Sequence, residues 1–221
     1  MGTMLRPIMT VFAGTNGAGK STLTKQLVDR IGEVIDPDAI AKRINPENPE
    51  SVSPTAGRET IKRVQECIKQ GLSFSIETTL AGKNAIRQME QAKAAGFEVN
   101  LYYVGLKNVE YHISRVEMRV AQGGHHIPEE DIRRRYDRSL SNLPIASGIA
   151  ERSFVFDNTS EFTQLLEVDK GRVRYLVQNL PEWAERVFKG GRPTLSKKLE
   201  QIKPLMDKQK LKKDRKGNFE R

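Results

Sequence analysis

The sequence predicts an α/β fold, a parallel sheet flanked by helices. Two observations predict it. Short apolar runs alternate with amphipathic helical patterns, the signature of strands joined by crossover helices. A glycine-rich turn also joins the first apolar run to the first helical pattern, as at the ligand-binding edge of such sheets. With 221 residues, the chain has room for one sizeable core but not for two comfortable domains.

The elements follow in order. Pro7 to Ala13 is apolar and ends in glycines, a first strand, and Lys20 to Ile31 is the helix after it. Glu33 to Asp36 is a second strand. The Asn-, Pro- and Ser-rich stretch from Asn45 to Pro54 reads as a loop, and Thr55 to Gln70 as a helix. Ser73 to Thr78 is a third strand, closed by Gly82. Asn84 to Ala95 is a helix stopped by Gly96. Glu98 to Leu106 is a fourth strand, with Val99, Leu101 and Tyr103 alternating. Two charged helical patterns, Val109 to Gln122 and Glu129 to Asn142, are split by Gly123 and Gly124, and Ser153 to Asp157 is a fifth strand. Leu165 to Leu176 predicts a hairpin turning at Asp169-Lys-Gly171, and Pro181 to Phe188 a short helix with Trp183 on its apolar side. The double glycine at Gly190 then divides a main domain, residues 1–189, from a basic C-terminal tail, residues 190–221, expected to be loosely docked or disordered.

Composition narrows the functional classes. No apolar run approaches the ~20 residues of a membrane span. Arg6 and Pro7 interrupt any secretory pattern, so the chain reads as cytoplasmic. Cys67 is the only cysteine, which rules out an intrachain disulfide and a cysteine metal cluster; its spacing with Ile61, Val64 and Ile68 makes it a small buried hydrophobe. The net charge is +9, but the last 25 residues hold ten Lys/Arg against four Asp/Glu. The body is therefore close to neutral and not a nucleic-acid binder by composition. The tail could be one, yet stacking residues would be expected there and only Phe219 is present.

Gly14, Thr15, Asn16, Gly17, Ala18, Gly19, Lys20 and Ser21 fit the phosphate-loop pattern G-x-x-x-x-G-K-[ST]. The glycines allow consecutive backbone N–H groups to converge on phosphate oxygens, and the following helix turns its positive end to the same place. Lys20 reaches the β- and γ-phosphates and Ser21 ligates Mg²⁺, with Thr22 the weaker ligand candidate. The pattern arises by chance in roughly one chain of this length in a hundred, and its strand-then-helix context sharpens it. ATP or GTP with Mg²⁺ is the implied cofactor set. The chain is short, lacks an Asn-Lys-x-Asp guanine-reading motif, and carries an arginine-dense segment from Arg115 to Arg138. These features favour a small-molecule kinase, whose lid needs cations to meet charge on the transferring group. Arg119 and Arg135 are the choices for that contact, with Arg115, Arg133 and Arg134 competing. Gly123 and Gly124 would let the lid move or simply end a helix.

With the phosphate loop, three further segments bear a resemblance: Val34 to Asp38; Ile76-Glu77-Thr78-Thr79-Leu80; and Arg115 through Pro128, Ile132 to Tyr136 and Ser141-Asn142. In this order, from about Ile8 to Thr159, they resemble the zeta toxins, P-loop kinases of UDP-N-acetylglucosamine. The resemblance implies transfer of the γ-phosphate to a sugar hydroxyl of that nucleotide sugar, with Asp38 as the base facing the acceptor, Glu77 and Thr79 as acceptor-binding residues, and an antitoxin protein as a partner. The residues themselves agree on Asp38, a carboxylate at the carboxyl end of a parallel strand. They equally allow it to cap a helix from Ala39 onward. Asp36 competes as a Mg²⁺ ligand or as the base. Glu77 alone would rank as a carboxylate supporting Mg²⁺ or as a salt-bridged structural residue. His125 and His126 lack a third metal ligand at useful spacing, which favours substrate contact by His125, or a plain loop, over metal. A kinase of another small metabolite and a nucleotide-regulated RNA-binding module are the alternatives.

Overall fold

A computed structural model describes residues 6–27, 32–124 and 126–190, apart from the side chains of residues 189 and 190. The expected tail therefore lies outside the described residues, as does His125. The strands are β1 (Ile8–Ala13), β2 (Glu33–Ile35), β3 (Phe74–Thr78), β4 (Glu98–Gly105), β5 (Arg152–Asp157), β6 (Thr163–Asp169) and β7 (Arg172–Leu176). They form one seven-stranded sheet in the order β2-β3-β1-β4-β5-β6-β7. The first five run parallel. The predicted hairpin extends the same sheet antiparallel from β5. Its turn places Lys170 and Gly171 at φ of +47° and +73°, as a two-residue turn matched to strand twist requires.

The helices are α1 (Lys20–Leu27), α2 (Pro37–Ile44), α3 (Ser53–Gln70), α4 (Lys83–Ala94), α5 (Val109–Ala121), α6 (Glu129–Ile149) and α7 (Glu182–Gly190), with a 3₁₀ turn at Pro49–Val52. Alternation along β1 divides the core. Met9, Val11 and Ala13 enter the larger cluster, while Phe12 packs with Ala18 and Leu23 on the α1 side. On that side Phe12, Tyr102 and Phe154 form a stack, with centroids 5.4 and 4.8 Å apart. Cys67 is buried in α3, as its spacing predicts. A separate cluster of Ile113, Val116, Ile127 and Ile132 joins α5 to α6.

Three local expectations are corrected. A helix, α2, occupies Pro37–Ile44, and its cap is Asp36, whose Oδ1 accepts the Asp38 N–H at 2.9 Å. Asp38 is thus in the first turn and caps nothing; Pro37 at the start of the helix suits a position whose N–H has no intrahelical partner. Second, the loop predicted for Asn45 to Pro54 contains the 3₁₀ turn, and α3 starts at Ser53. Third, α6 runs seven residues past Asn142, through Pro144 to Ile149. Proline removes one helical hydrogen bond, but Tyr136, Leu140, Leu143 and Ala146 are buried along one face that continues through it. Packing of that face outweighs the local penalty.

Candidate active site

The site lies at the carboxyl ends of β1, β2 and β3. The loop after β1 is pinned to the neighbouring strand by the Gly14 N–H, which donates to Thr78 O at 3.2 Å. Gly14, Gly17 and Gly19 have φ of +141°, +79° and +99°, conformations that side chains rarely adopt. Space forbids side chains as well: a Cβ on Gly14 would collide with Val104 O, and one on Gly17 would stand 2.8 Å from His112 O. The loop then enters α1 at Lys20.

Lys20 folds into this loop, its Nζ donating to Gly14 O at 2.8 Å. Burial lowers its pKa, opposed by the negative charge of Glu77, Asp38 and Asp36, while Arg119 lowers it further. One ammonium therefore lies in the fields of all three carboxylates and of a lid arginine. Ser21 Oγ donates to Glu77 Oε2 at 3.0 Å, so Glu77, buried on β3, has the loop serine as a hydrogen-bond partner. The Asp36 carboxyl is pushed up to about 6 by burial and by the nearby Glu77 and Asp38. Asp38 is exposed, open to an incoming hydroxyl.

This donor set fits Mg²⁺. Among the described residues no three His, Cys, Asp or Glu side chains form a cage for a metal, and Mg²⁺ is ordinarily held by one or two protein oxygens together with phosphates and water. Ser21 and Asp36 would hold it, with Glu77 behind Ser21. Bound there, Mg²⁺ would offset charge on the β- and γ-phosphates. Thr15 Oγ1 is buried in the phosphate loop without a hydrogen-bond partner, a polar group suited to a ligand that fills the loop.

Beyond β3 the chain bends sharply. Thr78 Oγ1 accepts the Leu80 N–H at 3.0 Å, and Thr79 Oγ1 the Ala81 N–H at 3.5 Å. Leu80 is fully buried with φ of +57°, a left-handed conformation costing about 1 kcal/mol or more in a non-glycine residue. Asn142 on α6 holds the bend, its Nδ2 donating to Leu80 O at 2.9 Å.

The arginines separate by position. Arg135 donates to Asn16 Oδ1 at 3.1 Å, which brings α6 onto the phosphate loop. Arg119 lies within the electrostatic reach of Lys20. Arg115 instead donates to the carbonyls of Asn158 and Thr159 at 2.6 and 3.2 Å. Arg133 is half-buried and paired with Glu110 and Glu129, each at 2.6 Å. Arg134, exposed, pairs with Asp131 at 2.6 Å. At the end of α5 the Gly123 N–H bonds Val120 O at 2.9 Å and the Gly124 N–H bonds Arg119 O at 2.8 Å, so the two glycines build a helix cap.

Two residues at the loop escaped sequence reasoning. His112 on α5, fully buried, donates from Nδ1 to Asn16 O at 2.8 Å; burial pulls its pKa down to about 4. Asn158 Nδ2 donates to Ala18 O at 2.9 Å and stands where a Cβ on Gly19 would be. Neither sits in a motif; each is 90 residues or more from its partner in sequence.

The family model described as Zeta toxin matches residues 2–164. An uncharacterised protein of Haemophilus influenzae is 44% identical over 125 residues, covering 57% of this chain and 89% of that protein. Among solved structures, the PezAT chromosomal toxin–antitoxin system of Streptococcus pneumoniae aligns at TM-score 0.56 and 17% identity, covering 94% of this chain and 88% of the other. The AvrRxo1-ORF1:AvrRxo1-ORF2 complex aligns at TM-score 0.65 and 16% identity with sulphate ions, and at 0.60 and 16% with ATP. This chain spans 63% and 62% of the AvrRxo1 chains, with 82% and 81% of its own length covered. At these identities the solved structures establish a shared fold.

Proposed function

The chain belongs to the zeta toxin family and has the fold of a P-loop phosphotransferase, and from that premise we propose that it transfers the γ-phosphate of ATP, with Mg²⁺, to a sugar hydroxyl of UDP-N-acetylglucosamine. One observation carries the reading: the phosphate loop meets the strand-end carboxylates, with Ser21 Oγ donating to Glu77 Oε2 at 3.0 Å and Lys20 near Glu77, Asp38 and Asp36. The phosphate-binding cation and the carboxylates needed on the acceptor side thus share one site.

The residues divide the work. The phosphate loop, Gly14 through Thr22, binds the donor, and Lys20 leaves Gly14 O to meet the β/γ oxygens. Asp38, exposed at the start of α2, takes the hydroxyl proton. Glu77 and Thr79 hold the sugar beside it. Arg119 and Arg135 stabilise the transferring group from the lid side. His125 lies outside the described residues, and its contact with the acceptor is supported by its place in the sequence, beside His126 with no third metal ligand at useful spacing. ATP as donor is supported by the family and by the solved AvrRxo1-ORF1:-ORF2 complex with ATP. An antitoxin protein as partner belongs to the same proposal, supported by the toxin–antitoxin neighbour.

The test is incubation with Mg²⁺, ATP and UDP-N-acetylglucosamine, read by mass spectrometry. The expected product is the nucleotide sugar carrying one added phosphoryl group on its sugar. ATP consumption with another acceptor, and none with this one, would reassign the substrate.

A further inference from the structure

We propose that Trp183, on α7, is a positioning residue of the nucleotide site and acts through Asp157 on the phosphate loop; the proposal rests on the reading of that loop as the donor site. Helix α7 lies beyond the family match, which ends at residue 164. Its indole is 2% exposed and lies against Gly105, where a Cβ would come within 2.5 Å of the ring. Packing alone would use any large apolar ring here. This one has a specific polar contact: Trp183 Nε1 donates to Asp157 Oδ2 at 2.7 Å. The other oxygen of the same carboxylate, Oδ1, accepts the Thr159 N–H at 2.9 Å. Asp157 is thereby clamped between α7 and the turn that follows β5.

That turn is one wall of the phosphate loop. Its backbone is fastened to β4 by the Asn158 N–H on Gly105 O at 3.0 Å, and the Lys107 N–H on Thr159 Oγ1 at 2.8 Å fastens it again. From it Asn158 Nδ2 reaches Ala18 O at 2.9 Å. On its other side its carbonyls receive Arg115 of α5. Trp183 therefore sets the place of Asp157, Asp157 sets the turn, and the turn sets the backbone of the phosphate loop at Ala18 and Gly19. A cradle displaced by even ~1 Å binds and orients a donor poorly.

The experiment uses the full-length chain and Mg²⁺·ADP as the probe, with the dissociation constant from calorimetry and the melting temperature measured together. Trp183→Phe keeps the ring and removes the N–H. Val187→Ala, on the same helix and also buried, removes packing and takes no hydrogen bond from Asp157 or the turn. Trp183→Phe should weaken ADP binding about five- to tenfold, a part of the effect of one hydrogen bond to a charged group, since it reaches the loop through the turn. Val187→Ala should lower the melting temperature and leave binding near wild type. If Trp183→Phe is too unstable to measure, Asp157→Asn, which keeps only one acceptor oxygen, should show the same loss of affinity. Affinity within about twofold of wild type, the scatter of a contact that carries nothing, makes Trp183 a packing residue and overturns the proposal. So does a loss that Val187→Ala matches at equal melting temperature. A wild-type chain that binds no Mg²⁺·ADP overturns the donor-site reading itself, so the two failures are distinguishable.

Discussion

Removing the Lys20 ammonium should reduce phosphoryl transfer by at least ~100-fold, because a preorganised charge on the transferring oxygens is lost. Lys20→Ala should still fold, since the ammonium's hydrogen bond is to Gly14 O within its own loop; turnover near wild type would end the kinase reading. The two aspartates are separable in the same assay. Asp38→Asn should keep nucleotide affinity and lose transfer. Asp36→Asn should lose transfer but raise the melting temperature of the nucleotide-free protein above pH 6. The folded Asp36 carboxyl titrates at about 6 against an ordinary 3.8, so its ionisation above that pH costs the fold stability, and asparagine caps α2 without the charge. A drop in melting temperature would contradict this. His112 has the opposite sign. Its neutral form is favoured in the fold, with a pKa of about 4 against 6.5. Stability is therefore present above pH 6.5 and lost on falling toward pH 4, by up to about 3 kcal/mol. Denaturant unfolding of wild type and His112→Asn across that range should converge at low pH; a constant difference would remove His112 as the cause.

At the scale of elements, α6 unites the site. The same helix carries Arg135 to Asn16 and Asn142 to Leu80, so it touches both the donor loop and the bend after Glu77. Asn142→Ala removes the restraint that α6 places on the left-handed Leu80. It should raise the acceptor KM about five- to tenfold, the effect of one hydrogen bond, with nucleotide affinity kept; equal loss of both affinities would mean general unfolding of α6. Arg133→Ala is the contrast on this helix. Its ion pairs are exposed, where such pairs contribute about 0–1 kcal/mol, and transfer should be unchanged. These assignments were only half legible in the sequence. The arginine-dense segment suggested a lid, yet spacing could not say that Arg133 and Arg134 pair with acidic neighbours while Arg135, paired with Asp131, also reaches the loop. The reach of α6 past Pro144 was hidden for a related reason: proline is a local signal, and the buried face that overrides it depends on what α6 packs against.

For the molecule as a whole, the parallel sheet was legible and its extension was not. The hairpin could be read from its turn, but its union with the sheet depends on pairing β6 to β5, residues Arg152 with Asp169 through Asp157 with Thr163. That pairing buries Leu165, Leu166 and Val168. A chain cut after residue 164, the end of the family match, loses those three side chains, exposes the β5 edge and uncovers the core they pack against, and should aggregate or fail to fold in expression trials. A chain cut after residue 190 should keep transfer largely intact, because the removed segment carries most of the net charge and few apolar residues. A shortened protein that folds and does not turn over substrate would make that segment part of the site.

The sequence by itself determined the parallel α/β class, the phosphate loop, and the carboxylates at strand ends, because each depends on neighbours in the chain: a period, a turn, a glycine spacing. It could not determine which of Asp36 and Asp38 caps α2, nor could it show His112 and Asn158 against the phosphate loop or Trp183 against Asp157. Those contacts join residues up to 140 positions apart. They exist only once the sheet has fixed the distance between its strands and the helices have packed across it, and side-chain type alone carries no record of that distance.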